Sequence, residues 1–356
     1  MKIRAVAALG AEISSIETID EERRDPGEGD VAFDLDYCGI CHSDLHFLKN
    51  DLMNTTYPLT PGHELIGTVT SVGTGVKGFA VGDKIGVGCM VDSCLSCKNC
   101  QMDEEQYCDK GATFTYGSMP VHGRAGPEGK PTVGGYCTKM VVNERFAIKI
   151  PASAHDKLAK AAPLMCAGIT LYDPIKAFGV TKGTRVGIAG VGGLGMMGIE
   201  IAAAMGAEVT AISRSRSKEE RAKALGAKNF VAMNDEESLN AAAGSLDIIL
   251  DTVSACHDSE PYAKLLDKRG TLVLLGLQVT PVAVGAPHFV FTRKSVTGSL
   301  IGGIKNTQEM IDFCCEKNIY PEIEVIDASK IGDALQKLED GNDAGVRYVI
   351  DCKTIQ

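Results

Sequence analysis

The sequence has no tryptophan, no apolar run of the 18 or so residues that a membrane span requires, and fewer basic than acidic residues. Each shortage excludes something. Without a long apolar run, the chain is not expected to enter a membrane. With 36 Lys and Arg against 46 Asp and Glu, the formal net charge is −10. Nucleic-acid binding needs a basic face and is disfavoured, although a local phosphate site remains compatible with this balance. The first residues also lack the core of a signal peptide. Lys2 and Arg4 are followed by an apolar stretch that runs only from Ala5 to Leu9, shorter than the roughly 7–15 residues needed. The start reads as a first strand, and the protein is expected to be cytoplasmic.

Cysteine is plentiful. There are 13, an odd number, and in a reducing compartment thiols bind metal, react or pack as small hydrophobes. A length of 356 residues exceeds one ordinary core and implies two domains. Residues 1–150 are rich in Gly and Pro, with short apolar bursts such as Ile66–Val72, Lys84–Val87 and Lys139–Ile150. This pattern predicts strands separated by turns. Beyond Ala159, strands and helices alternate. Strands are expected at Thr184–Ala189, Glu208–Ile212, Asn229–Met233, Leu246–Asp251, Thr271–Leu275 and Ser295–Leu300. Helices are expected at Leu194–Met205, Ser217–Leu225 and Ser259–Asp267, the last followed by a turn at Lys268-Arg269-Gly270. The implied fold class is α/β, with a doubly wound parallel sheet of the Rossmann type beside a β-rich domain. The tail, Asn306–Gln356, reads as one helix and a last strand, Val346–Asp351, that return to the first domain. The loop Pro120–Gly135, with its glycines and prolines, is the expected flexible segment.

Cys94, Cys97, Cys100 and Cys108 follow the spacing C-x2-C-x2-C-x7-C. Two-residue loops let successive sulfurs converge on a tetrahedral zinc, and four thiolates close its shell, so the site is expected to be structural. An iron–sulfur run is partly similar, but here the fourth cysteine is more distant and no proline follows it.

Gly190-Val191-Gly192-Gly193-Leu194-Gly195 is a G-x-G-x-x-G run. Alone it is weak. It gains force because an apolar strand precedes it and a helix follows, the arrangement that seats a pyrophosphate on a helix N-terminus. The end of the next strand selects the dinucleotide. An NAD site carries an acid there; this chain has Ser213-Arg214-Ser215-Arg216-Ser217-Lys218. Ser213, Arg214, Ser215 and Lys218 suit a 2′-phosphate, so NADP(H) is the expected cofactor.

Three further segments hold candidate metal ligands: Cys41 in Gly39-Ile40-Cys41-His42-Ser43-Asp44, His63 in Pro61-Gly62-His63-Glu64, and Cys166 in Leu164-Met165-Cys166-Ala167-Gly168. Singly each is weak, because a histidine after glycine is more often structural and a buried cysteine is usually packing. Here family likeness adds what spacing cannot. Gly62-His63-Glu64-Leu65-Ile66-Gly67, with Gly73 and Val76 beyond it, resembles the zinc alcohol dehydrogenase signature of the medium-chain dehydrogenase/reductase superfamily. Ala161–Thr170, Gly190–Gly195 and Gly135–Phe146 resemble its cinnamyl alcohol dehydrogenase branch. Only Pro120–Pro131 and Asn234–Ser245 fit loosely.

The resemblance implies a GroES-like catalytic domain over 1–155 and 301–356, and a Rossmann domain over 156–300. It implies that Cys41, His63 and Cys166 ligate a catalytic zinc, with Glu64 able to enter the shell, giving two zinc ions per chain with the cysteine knot. Asp44 would orient His63. Ser43 and His46 would relay a proton by way of the cofactor ribose. Thr170, Thr252, Gly276, Ser299, Leu300 and Ile301 would also contact cofactor. Met90, Phe114 and Leu300 would line the substrate pocket. Phe114 stands where the plant lignin enzymes have tryptophan, which points to a broad apolar pocket for aromatic and aliphatic aldehydes and alcohols. The implied reaction is hydride exchange between such a substrate, polarised by zinc, and NADP(H). The alternatives are a polyol or sugar dehydrogenase of the same superfamily, and a non-catalytic redox sensor that binds zinc and NADP(H). Phe291–Gly303, at a sheet edge, is expected to pair with a second copy in a homodimer.

Overall fold

A computed structural model describes residues 1–51, 54–126, 129–341 and 345–356. It divides into two compact units, Met1–Ile169 with Gly302–Gln356, and Thr170–Ile301.

The first unit is built on a seven-stranded sheet in which Asp30–Gly39 is the hub. That strand pairs antiparallel with Leu65–Val72, Lys139–Asn143 and Arg347–Asp351. Along it Val31, Ala32, Phe33, Leu35 and Cys38 are all buried. Lys84–Val87 and Ile148–Lys149 extend the sheet on one side and Ile323–Ile326 on the other. The C-terminal strand Arg347–Asp351 is therefore an interior member, which is why the tail returns to this unit. The tail holds two helices, Ile304–Lys317 and Ile331–Glu339, and two strands, one more of each than its sequence pattern suggested. Residues 156–169 also lie in this unit, because the 3-10 turn Ala162–Met165 buries all four of its residues there.

The second unit is a six-stranded parallel sheet in the order Asn229–Ala232, Glu208–Ser213, Arg185–Ala189, Leu246–Asp251, Leu266–Leu274, Ser295–Gly298. Its first strand is central and the order reverses beside it, the switch point where such sheets bind nucleotides. Ala189, Ile212, Val231, Leu246, Ile249 and Leu272 form the core under the sheet. Lys268-Arg269-Gly270 is not a connecting turn. It lies inside the strand Leu266–Leu274, where the register slips and Arg269 takes a φ of 67°. The last strand stops at Gly298, short of Leu300. The loosely fitting stretch after Asn234 contains the helix Glu236–Ala241, capped by Asp235, whose carboxylate accepts the Ser238 N–H at 3.1 Å. Among the described residues, no helix is long and apolar enough to cross a membrane.

Candidate active site

Cys41 sits at the N-cap of the helix His42–Lys49, just beyond the hub strand. His63 and Glu64 lie immediately before the strand Leu65–Val72, and Cys166 follows the 3-10 turn Ala162–Met165. These elements bring one ligand atom each of Cys41, His63, Glu64 and Cys166 within 4.8 Å of one another. The two sulfurs are 4.0 Å apart. That is far beyond a disulfide bond and close to the ~3.8 Å that separates thiolates on one tetrahedral zinc. Hydrogen bonding to Cys166 pulls the Cys41 thiol well below its usual range, and His63 adds to the pull. Two thiolates this close repel unless a cation or a shared proton lies between them, so the donor set suits a metal ion.

Glu64 is fully buried. Arg347 donates to its Oε1, and its Oε2 has no protein partner. Burial pushes this carboxyl up to about 8, against the opposing pull of Arg347. A Cβ at residue 39 would stand 2.0 Å from Oε2, so a larger residue at Gly39 would displace the Glu64 carboxyl. Asp44 is also buried and serves as a hub. Its Oδ2 accepts the Cys41 N–H at 2.9 Å and its Oδ1 accepts the Gly62 N–H at 3.1 Å. His63 Nδ1 lies 3.3 Å from Oδ1, an arrangement that leaves Nε2 as the nitrogen available to a ligand.

Ser43 Oγ lies 3.7 Å from Cys41 Sγ. His46, one turn further along the helix, is partly exposed and places Nδ1 2.8 Å from Asp51 Oδ1, while His42 is exposed. Met90 and Phe114 face each other across the small ribbon of Met90–Asp92 and Thr113–Phe114. The ring of Tyr116 stacks on His63 at 5.6 Å and meets Phe47 edge-on at 5.0 Å. Arg347, Tyr116 and Tyr136 escaped the sequence reading, since nothing local marks them.

The second cysteine group, Cys94, Cys97, Cys100 and Cys108, also converges within 4.8 Å. Cys100 lies 3.9 Å from Cys94 and 3.4 Å from Cys97. Backbone N–H groups of Cys97 and Cys94 point at the sulfurs of Cys94 and Cys108, both at 3.3 Å. Hydrogen bonds, led by the one from the Ser96 backbone, draw the Cys94 thiol down to about 5, the direction that favours a thiolate ligand. None of the thirteen cysteines is in a disulfide.

In the second unit three glycines of the Gly190–Gly195 run have distinct roles. Gly190 turns the chain at a φ of 89°. A Cβ at residue 192 would meet nothing within 4 Å, which leaves the backbone open to a phosphate. A Cβ at residue 195 would strike the Gly190 carbonyl at 1.8 Å, so Gly195 permits close packing of helix on loop. The helix Gly193–Ala204 starts here and presents its N-terminus. Thr252 Oγ donates to the carbonyls of Ala189 and Gly190 at 2.8 and 3.1 Å, bracing the loop. Gly276 packs against the Val253 carbonyl. Beyond the strand Glu208–Ser213, Glu219 and Asp235 hold Arg216, each at 2.9 Å. Among the described residues Arg214 and Lys218 make no ion pair. Thr170, Ser299, Leu300 and Ile301 lie in this unit, with Leu300 exposed.

Two family models match the chain: the alcohol dehydrogenase GroES-like domain over residues 27–152 and the zinc-binding dehydrogenase over 193–316. The aldehyde reductase YahK of Escherichia coli is 43% identical over 356 residues, covering 100% of this chain and 99% of its own. A probable mannitol dehydrogenase of Fragaria ananassa is 47% identical over 92% of this chain and 89% of its own. Among solved structures, the cinnamyl alcohol dehydrogenase of Helicobacter pylori complexed with NADP(H) aligns with a TM-score of 0.90 and 40% identity, covering 100% of this chain and 99% of that one. The chain belongs to the zinc-dependent alcohol dehydrogenases of the medium-chain superfamily, oxidoreductases that interconvert alcohols and aldehydes.

Proposed function

We propose that this protein is an NADP(H)-dependent reductase of apolar aldehydes that binds two zinc ions per chain. The convergence of Cys41, His63, Glu64 and Cys166 within 4.8 Å carries this reading, since it offers a metal site with donors of unequal strength. Cys41, His63 and Cys166 would hold the catalytic zinc and leave a fourth position for substrate oxygen. Glu64 Oε2, unpaired on the protein side, is the group available to enter the shell when substrate leaves. When bound, the zinc polarises the substrate oxygen and the nicotinamide supplies or accepts the hydride. The protein's own residues position and move protons. Asp44 fixes the His63 ring, Ser43 hydrogen-bonds the reacting oxygen, and His46 passes the proton toward solvent. Met90 and Phe114 give the substrate an apolar wall. The cysteine knot would hold the second zinc and fasten its loop.

NADP(H) fits the second unit because Arg214, Ser215 and Lys218 can donate to a 2′-phosphate and Ser213 does not repel it. The resemblance adds Thr170, Ser299, Leu300 and Ile301 as further cofactor contacts. Thirteen cysteines with no disulfide among them suit a reducing compartment such as the cytoplasm. A homodimer would cover the sheet-edge strand Ser295–Gly298 and the neighbouring Val290 and Phe291, which are 75% and 84% exposed.

The similarity to a probable mannitol dehydrogenase favours a polyol as the second reading. Steady-state kinetics over a panel of aldehydes, sugars and polyols separates the two. Higher kcat/KM for benzaldehyde and medium aliphatic aldehydes is expected, and preference for a sugar or polyol would replace the proposal.

A further inference from the structure

Asp44 has one more partner. The hydroxyl of Tyr136 donates to Asp44 Oδ2 at 3.0 Å, with both side chains out of solvent. Asp44 Oδ2 accepts the Cys41 N–H and the Tyr136 hydroxyl, Oδ1 accepts the Gly62 N–H and lies beside His63 Nδ1, and the buried Tyr116 hydroxyl also bears on the carboxylate. The carboxylate joins the backbone at one candidate ligand to the ring of another. Tyr136 is itself held firmly. Its N–H donates to the Pro61 carbonyl at 3.0 Å, Gly135 donates to Gly62 at 2.9 Å and Gly134 to Thr60 at 2.8 Å. Its ring occupies the space beside Gly62, where a Cβ would come within 2.6 Å.

We propose that Tyr136 is a positioning residue of the catalytic metal site: its hydroxyl fixes the Asp44 carboxylate, which in turn aligns His63. The inference rests on the reading of Cys41, His63 and Cys166 as zinc ligands. Without the hydroxyl, the carboxylate loses one of its donors and turns more freely, and the imidazole loses its fixed direction. Groups that orient metal-bound histidines affect metal retention by about 10–100-fold.

The test is Tyr136→Phe in the zinc-loaded full chain, which deletes one oxygen and keeps the ring. Zinc release to a colorimetric chelator is followed alongside the visible spectrum of the cobalt-substituted protein. One zinc is expected to leave about ten-fold faster or more, with altered cobalt bands, while the other leaves at the wild-type rate. Unchanged release of both, or equal acceleration of both, would overturn the role of Tyr136. His63→Ala separates this from failure of the underlying reading. If that variant retains its full zinc complement, the ligand assignment is wrong. If it loses one zinc while Tyr136→Phe behaves as wild type, only the role of Tyr136 fails.

Discussion

Arg347 pairs with Oε1 of Glu64 inside the first unit, their side chains 11% and 0% exposed. The two are 283 residues apart in sequence, and Arg347 comes from the C-terminal strand. Removing Arg347 leaves the buried Glu64 carboxyl, which burial pushes up to about 8, without its donor, at a cost of about 1–3 kcal/mol. Arg347→Met should therefore lower unfolding free energy by that order. Denaturant titration at constant m reads the change, and a loss below about 1 kcal/mol would show that the pair is not what secures Glu64.

The two cysteine groups predict different phenotypes. Elemental analysis should find two zinc ions per chain. Cys41→Ala should keep one zinc and lose activity. Cys97→Ala should unfold at lower temperature before its turnover suffers. One zinc in the wild type, with full activity in Cys41→Ala, would refute the assignment.

What could be read from the chain was local. The Gly190–Gly195 run and the four-cysteine knot place their groups through neighbouring backbone, so the spacing of the knot, and the place of the run between a strand and a helix, were informative. The contacts of Asp44 were half legible. Its neighbours Cys41 and His63 were marked as ligands by the resemblance, but Tyr136 is 92 residues away, and although Gly135–Phe146 shares the family likeness, a tyrosine before a strand signals no role. Arg347 looked like any strand residue until the sheet order carried it beside Glu64. Lys268-Arg269-Gly270 misled because a residue with positive φ serves a bulge as well as a turn.

Glu200, on the nucleotide-loop helix, is partly buried, and burial pushes its carboxyl up to about 7. The folded state thus binds this proton more tightly than the unfolded chain. The contribution of Glu200 to stability is lost as pH rises from about 4.5 to about 7. Glu200→Gln should leave stability nearly unchanged at pH 4.5 and raise it at pH 8 by roughly 1–2 kcal/mol, reduced from the full linkage value for solvent screening. Denaturant midpoints of both proteins at the two pH values test this; an equal difference at both would contradict it.

Cofactor choice should follow the loop after Ser213. Two charge-assisted bonds to a 2′-phosphate, discounted for exposure, predict a preference for NADPH on the order of ten- to a hundred-fold. Ser213→Asp adds repulsion and should erase or invert it. The ratio of kcat/KM for NADPH over NADH in the two proteins decides, and a wild-type ratio at or below one would mean that Arg214 and Lys218 do not read the phosphate.

The most direct test of the whole account is the loss of NADPH absorbance when benzaldehyde is added to the wild type and to Cys41→Ala. The account predicts steady turnover by the wild type and at least about a hundred-fold less in the variant, a loss of several kcal/mol of transition-state stabilisation. Equal rates in the two proteins, or no turnover of any aldehyde by zinc-replete wild type, would contradict it.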